Sequence, residues 1–155
     1  MNEPRASRAG FPGYGITTDA EGMLPWSWAV ERLAVAHNYW IATASAERGP
    51  HAMPVWGLWR DDAFVFSTGA ESRKARNLAA DPRLVVHLES GDEVVLLEGV
   101  AEPAEATVEV IDEYDGKYAF RPEVGGDGWY RVPPRRAYAW RERDYPQSAT
   151  RFDFD

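Results

Sequence analysis

The chain has 155 residues, 45% of them hydrophobic, and a formal net charge of −8. That length suits one domain, which buries about 68–70% of its unfolded surface without cross-links. The absence of cysteine excludes disulfides, thiolate zinc sites, iron–sulfur clusters and a cysteine nucleophile, and an acidic chain is a poor match to the phosphates of nucleic acid.

No apolar run approaches the ~20 residues that cross a bilayer, and the opening MNEPRASRAGFPGYG lacks the apolar stretch of a signal peptide. A soluble cytoplasmic protein without membrane or nucleic-acid partners is expected, as a single domain over 1–155. Residues 1–25 read as an irregular arm, rich in Gly, Pro and polar residues. In LPWSWAVERLAVAHN, Ser27 is a candidate N-cap, and Trp28, Val30, Leu33, Ala34 and His37 can share one face, predicting a helix over 27–37.

From Tyr39 the apolar period falls to two. YWIATAS (39–45), HAMPVWGLW (51–59) and AFVFST (63–68) read as three strands of an antiparallel meander with short turns. A helix over 71–80 follows and is stopped by Asp81-Pro82. Strands are expected at 83–89 and 93–104, with a bulge or bend at Gly99. Residues 105–119 read as a helix frayed or broken at Gly116, and 129–142 as a last strand interrupted by Pro133-Pro134. The expected class is mainly β with flanking helices: a split β-barrel of about six mostly antiparallel strands.

Two stretches carry candidate chemistry. In TGAESRKARNLAADPR, Ala75, Leu78 and Ala79 form the apolar stripe of the helix, and Ser72 can cap it. Arg73, Lys74 and Arg76 then crowd the first turn, where a cation opposes the helix dipole by about 0.3–1 kcal/mol. Free N–H groups, a serine hydroxyl and cations at one helix end are the ingredients of an anion site, with Thr68-Gly69 allowing close backbone approach. The other reading sends the cations into water, offset by Glu71. The chain has fifteen arginines and only two lysines, Lys74 and Lys117, so a lysine in this stretch is itself informative.

The second stretch is HAMPVWGLW. Pro54 cannot donate to a ladder, which places it at an edge or bulge. Met53, Val55 and Trp56 around it would make an apolar wall suited to a flat ring; a core strand with an edge proline is the other reading. His37, His51 and His87 lack metal-site spacing, His51 opening the strand where it can line a pocket. DEYD (112–115) reads as a solvated acidic face.

The order of these strands, with STG and SRKARNLAADPR following HAMPVWGLW, resembles the pyridoxamine 5′-phosphate oxidase-like proteins over roughly 26–104. These are flavin and deazaflavin oxidoreductases with a split β-barrel. The resemblance implies a bound FMN or coenzyme F420, with Ser72, Arg73 and Lys74 on its phosphate and Asn77 nearby. It further implies Met53, Pro54, Val55 and Trp56 along the ring, and Thr68 and Gly69 near the ribityl chain. A homodimer with cofactor sites at the interface is implied too, in which Trp129, Arg131 and Trp140 reach the other chain's ring. Arg76 and Arg83 would serve the anionic tail of F420. The pyridoxamine phosphate oxidases proper carry an arginine–histidine pair near the C-terminus, and this chain has no histidine after His87. The activity so implied is hydride transfer between the cofactor and a small organic molecule, with no catalytic side chain named. The alternatives are a non-catalytic flavin-binding or cofactor-storage protein of the same fold, and a ligand-free barrel.

Overall fold

The structure, a computed structural model, describes residues 3–155; residues 1 and 2 of the expected arm lie outside the described residues. Eleven strands and four helices follow one another: β1 (Arg5–Arg8), α1 (Trp26–Val35), β2 (Tyr39–Ser45), β3 (Gly49–Val55), β4 (Leu58–Arg60), β5 (Ala63–Ser67), α2 (Arg73–Ala80), β6 (Arg83–His87), β7 (Glu93–Val100), β8 (Glu102–Pro103), α3 (Val108–Tyr118), β9 (Trp129–Val132), β10 (Pro134–Arg141), α4 (Tyr145–Ser148) and β11 (Thr150–Asp153). They form a seven-stranded sheet, β1-β11-β10-β7-β6-β2-β3, and a four-stranded sheet, β4-β5-β9-β8. Every strand pairing is antiparallel. The two sheets do not close on one another, so the mainly β split-barrel class holds while the expected strand number was too low.

Part of the excess is β1 and β11, which the sequence does not announce; the rest arises because three predicted strands are each cut in two by a change of sheet. The 51–59 segment leaves the large sheet after Val55 and enters the small one at Leu58. The 93–104 segment crosses at Ala101 and the 129–142 segment at Pro133. The expected three-strand meander is therefore two hairpins in different sheets, β2–β3 and β4–β5. Gly99 does mark an irregularity: its partner register shifts between Pro134 and Arg136, and a Cβ there would meet the Pro133 carbonyl at 2.8 Å. Local periodicity reports that a residue is extended, but not which sheet receives it.

The arm is not wholly irregular. Arg5–Arg8 pairs with β11, Arg5 facing Asp153 and Arg8 facing Thr150, a partner too distant in sequence for any local pattern to announce. Beyond it the Arg8 guanidinium donates to the carbonyls of Asp19, Glu21 and Gln147 and ties the arm down. α1 begins one residue early, with Pro25 in the capping position and no side-chain cap, so Ser27 lies inside the helix. α3 is capped by Thr107 and runs unbroken through Gly116 to a left-handed Ala119 (φ 52°).

Phe64 and Phe66 of β5 join Leu33, Tyr39, Ile41, Val86, Leu97 and Phe152 in the main core. Val65, on the opposite face, packs with Ile111, Val110, Tyr114, Tyr118 and Trp129 under α3. Burial on both faces explains why AFVF reads as a continuous apolar run. At the first crossing Gly57 lies against the Phe64 ring, and a Cβ there would stand 2.3 Å from it. Gly57→Ala should therefore destabilise the fold by about 1–3 kcal/mol, the usual cost of overpacking; urea unfolding midpoints at constant slope would measure it.

Candidate functional site

β3 is an edge strand of the large sheet, as a proline in its middle requires. Residues directly opposite one another across a ladder share a face. Thr43, Ile41 and Tyr39 face the core, so their partners His51, Met53 and Val55 face the same way. Ala52 and Pro54, opposite Ala42 and Trp40, lie on the outer face. The expected wall of residues 53–56 is thus split, with only Met53 and Val55 on the inner side. Met53 remains 43% exposed because no element of the chain covers this edge. Trp56, past the end of the strand, lies parallel to Tyr118 with centroids 4.5 Å apart and is 39% exposed.

α2 packs over β2 beside this edge. Its N-cap is Ser72, whose hydroxyl accepts from the Ala75 N–H at 3.1 Å and lies 2.9 Å from the Thr68 hydroxyl. The helix buries Ala75, Asn77 and Leu78; Ala79, expected on this stripe, is exposed. Asn77 donates to the Thr43 hydroxyl at 2.9 Å and is 2% exposed. That bond turns the Asn77 face of α2 toward β2. It also makes Asn77 a buried tether more than an open ligand. Arg73 and Lys74, four and three residues earlier, rise from the same helical face.

Charge pairing separates these cations from most of the chain's arginines, although Arg48, Arg135 and Arg143 likewise have no carboxylate partner among the described residues. Arg32, Arg83, Arg121, Arg136, Arg141 and Arg151 each hold a carboxylate at 3.0 Å or less. Among the described residues Arg73, Lys74 and Arg76 have none within 4.0 Å, and Glu71 does not offset them. Arg83 is held by Asp81 through two bonds of 2.9 and 2.8 Å. These bonds bring the Asp81 carboxyl down to about 2. Arg83 is thus not a free cation for an anionic tail. His51, on the inner face opposite Thr43, has a buried Nδ1 with no hydrogen-bond partner among the described residues. Such an orphan nitrogen is costly unless something else meets it. Gly69 is open, with nothing within 4 Å of where a Cβ would stand. Thr68 is fixed by its N–H to the Gly128 carbonyl at 2.9 Å, and Gly128 (φ 84°) has no room for a side chain there.

The residues expected to reach a second chain fare less well. Trp129 is 5% exposed and packs beneath α3, so it is unavailable to a partner's ring. Arg131 donates toward Glu102 at 3.5 Å and to the Asp61 carbonyl at 3.3 Å on the small sheet. Trp140 packs on Phe11 and Tyr145 of the chain itself. Of the DEYD stretch, Tyr114 is buried, while Asp112 and Asp115 pair with Arg121.

One group escaped the sequence reading. Lys117, on the last turn of α3, donates to the Tyr39 hydroxyl and to the Gly57 carbonyl, both at 2.9 Å. Burial lowers its ammonium from 10.5 to about 8, and burial likewise pushes the Tyr118 phenol up to about 12. The available signal was the chain's near-total preference for arginine, which leaves only two lysines.

An edge strand interrupted by proline, a Ser72-capped helix with cations in its first turn and two open sheets define a split-barrel protein. A family model described as pyridoxamine 5′-phosphate oxidase matches residues 29–141, and the chain belongs to that family. A pyridoxine/pyridoxamine 5′-phosphate oxidase of Anaeromyxobacter dehalogenans (strain 2CP-C) is 34% identical over 108 residues, 66% of this chain and 46% of that protein. The chain thus spans just under half the length of this curated relative. A conserved hypothetical protein of Mycobacterium tuberculosis superposes with a TM-score of 0.68 at 25% identity, over 82% of this chain and 91% of that one. An F420 reductase superposes at 0.55 and 18% identity, over 69% and 94%, a likeness of fold alone. No helix among the described residues is long and apolar enough to cross a membrane.

The Lys117 environment has a pH signature. The unfolded chain keeps the lysine proton up to 10.5 while the folded chain releases it near 8, so stability from this group rises with pH across that window. Tyr118 acts in the opposite sense above 10, where only the folded chain keeps the phenol proton. Urea unfolding of wild type and Lys117→Met should show the difference moving in favour of wild type as pH climbs from 8 toward 10.

Proposed function

We propose that the chain is a flavin- or deazaflavin-dependent oxidoreductase acting on a small organic molecule, and that FMN is its cofactor. One observation carries this reading: among the described residues Arg73 and Lys74 stand without a carboxylate partner at the Ser72-capped end of α2, on the face turned toward β2, the strand beside the open edge of β3. Among the described residues no three His, Cys, Asp or Glu side chains gather as a metal centre. The residues present fit a phosphate-bearing ring cofactor. The first turn of α2 supplies free N–H groups and two cations for a phosphate, and the inner face of β3 supplies Met53 and Val55 for a flat apolar surface. His51 Nδ1, buried and unpartnered, is a polar group that such a ligand would satisfy.

In this reading Ser72, Arg73 and Lys74 hold the phosphate, Thr68 and Gly69 border the linking chain, and β3 lies along the ring. The bound cofactor supplies hydride transfer, while the protein orients it and excludes water. With Arg83 locked to Asp81, Arg76 is the one further cation of the stretch left for a polyanionic tail. The short patch therefore favours a single phosphate group over the longer anion of F420. The name of the Anaeromyxobacter relative points to a pyridoxine or pyridoxamine phosphate substrate, and the lack of a histidine after His87 points away from it.

The expectation of a cytoplasmic homodimer is retained as part of this proposal. The outer face of the large sheet carries Trp40, Ala42, Val85 and Leu96, all partly exposed. This face continues through Ala52 and Pro54 to the β3 edge. A cleft of about 450 Å³ opens in it beside Ala42, Val85, Val100 and Arg135. A second copy seated here would cover the ring-binding edge that one chain leaves open. Val85→Asp should then give a monomer by sedimentation and lose cofactor affinity with it, whereas a wild-type monomer would end this part of the reading.

Titration of the apoprotein with FMN and with F420, read by tryptophan quenching, tests the cofactor directly. Arg73→Ala with Lys74→Ala should weaken FMN by a few kcal/mol, at ~1.5–3 kcal/mol for each hydrogen bond to a charged group. Riboflavin, which lacks the phosphate, should bind the variant as it binds wild type. Equal FMN affinity for both proteins refutes the phosphate assignment.

A further inference from the structure

The β3–β4 crossing hangs from the last turn of α3. The Gly57 N–H donates to the Tyr118 hydroxyl at 2.9 Å. The single proton of that hydroxyl lies within reach of the His37 carbonyl at 2.8 Å and the Gly57 carbonyl at 2.9 Å. Lys117 Nζ donates to the same Gly57 carbonyl and, on its other side, to the Tyr39 hydroxyl. Both polar groups of Gly57 are therefore spent on α3, and neither joins a ladder. The Phe64 ring closes the crossing from below.

Lys117 forms no ion pair among the described residues. The groups facing it are the Tyr39 hydroxyl and ring from β2, the Gly57 carbonyl from the crossing, and the Tyr118 ring of its own helix. The ammonium stands 4.8 and 5.2 Å from the two ring centroids. A half-buried amine without a counter-ion is costly, and its one hydrogen bond besides that to the core phenol among the described residues goes to the carbonyl of the residue after Trp56. Trp56 in turn packs on three rings: parallel to Tyr118 at 4.5 Å, tilted to Tyr114 at 6.4 Å and edge-on to His37 at 5.9 Å.

We propose that Lys117 is a positioning residue for the ring-binding edge, fixing the Gly57–Leu58 peptide through the Gly57 carbonyl while Tyr118 holds the Trp56–Gly57 peptide through the Gly57 N–H. The chain leaving β3 after Val55 is thereby held in place, and Trp56 stays against Tyr118. The inference rests on the flavin reading above and adds to it a residue that does not touch the cofactor. Removing the amine leaves the Gly57 carbonyl only the Tyr118 proton, for which the His37 carbonyl competes; the crossing can then shift, moving the end of β3 and loosening Trp56 from its stack. The phosphate end, built on Ser72, Arg73 and Lys74, is untouched.

The two ends of the site separate the effects. In Lys117→Met, riboflavin affinity should fall about tenfold, the scale of one hydrogen bond to a charged donor. Inorganic phosphate should compete with FMN at an unchanged inhibition constant, and the near-ultraviolet circular dichroism of the apoprotein should lose intensity. Lys117→Arg, which keeps the donors, should restore both. If Lys117→Met does not fold, Lys117→Gln, whose shorter amide cannot reach both acceptors, carries the same test. A folded variant that binds riboflavin as wild type does overturns the proposal. A variant in which phosphate inhibition weakens in parallel also overturns it, since the effect would then be general loosening. A wild-type protein that binds neither riboflavin nor FMN removes the flavin reading itself, and this inference with it.

Discussion

A chain that builds two sheets from continuous extended segments must pass between them, and at each passage the backbone loses its ladder partners. Buried N–H and C=O groups cannot stay unpaired, so each crossing needs donors and acceptors from elsewhere. At Ala101 the N–H goes to the Pro82 carbonyl. At Pro133 there is no N–H to satisfy, and the smallness of Gly99 lets its carbonyl pass. At Gly57 both groups are met by side chains of one helix turn. The placement of β4 and β5, the burial of Phe64 and the direction of Trp56 all depend on that last arrangement.

Electrostatics follow a similar economy. The chain is acidic, and most of its arginines lie against carboxylates or carbonyls, where planar guanidinium is well suited. Against this background the unpaired cations on α2 stand out, because they sit where the helix dipole disfavours them. Exposed pairs contribute little to stability, so the Arg83–Asp81 fork matters more for what it withholds, namely a cation otherwise available beside the same helix.

Features set by near neighbours were legible in the sequence. Ser72 caps α2 because its hydroxyl needs only the N–H three residues on, and Pro54 marks an edge because its missing donor is a local fact. The β2–β3 hairpin and the helical character of 73–80 and 108–118 follow from period and turn chemistry. Features set by distant partners were not. Nothing in HAMPVWGLW says that Met53 and Trp56 separate onto different surroundings, since that depends on where α3 ends. Asn77 reads as a polar residue near an anion site until Thr43, 34 positions away, is seen to accept from it. Trp129 reads as a candidate for the partner's ring until α3 is found lying over it. β1 carries no apolar alternation at all, and its existence depends on β11.

That last pairing bears on how the molecule is made. β11 sits between β1 and β10, so a segment made early docks onto one made much later. Until then β10 offers an unprotected ladder edge, and Ala6 and Arg8 have nothing to bind. Closure of so long a loop comes late and slowly in folding. The nascent chain thus holds its hairpins and α2 well before the large sheet is complete, and β11 acts as the fastening that ends the exposure of a sticky border.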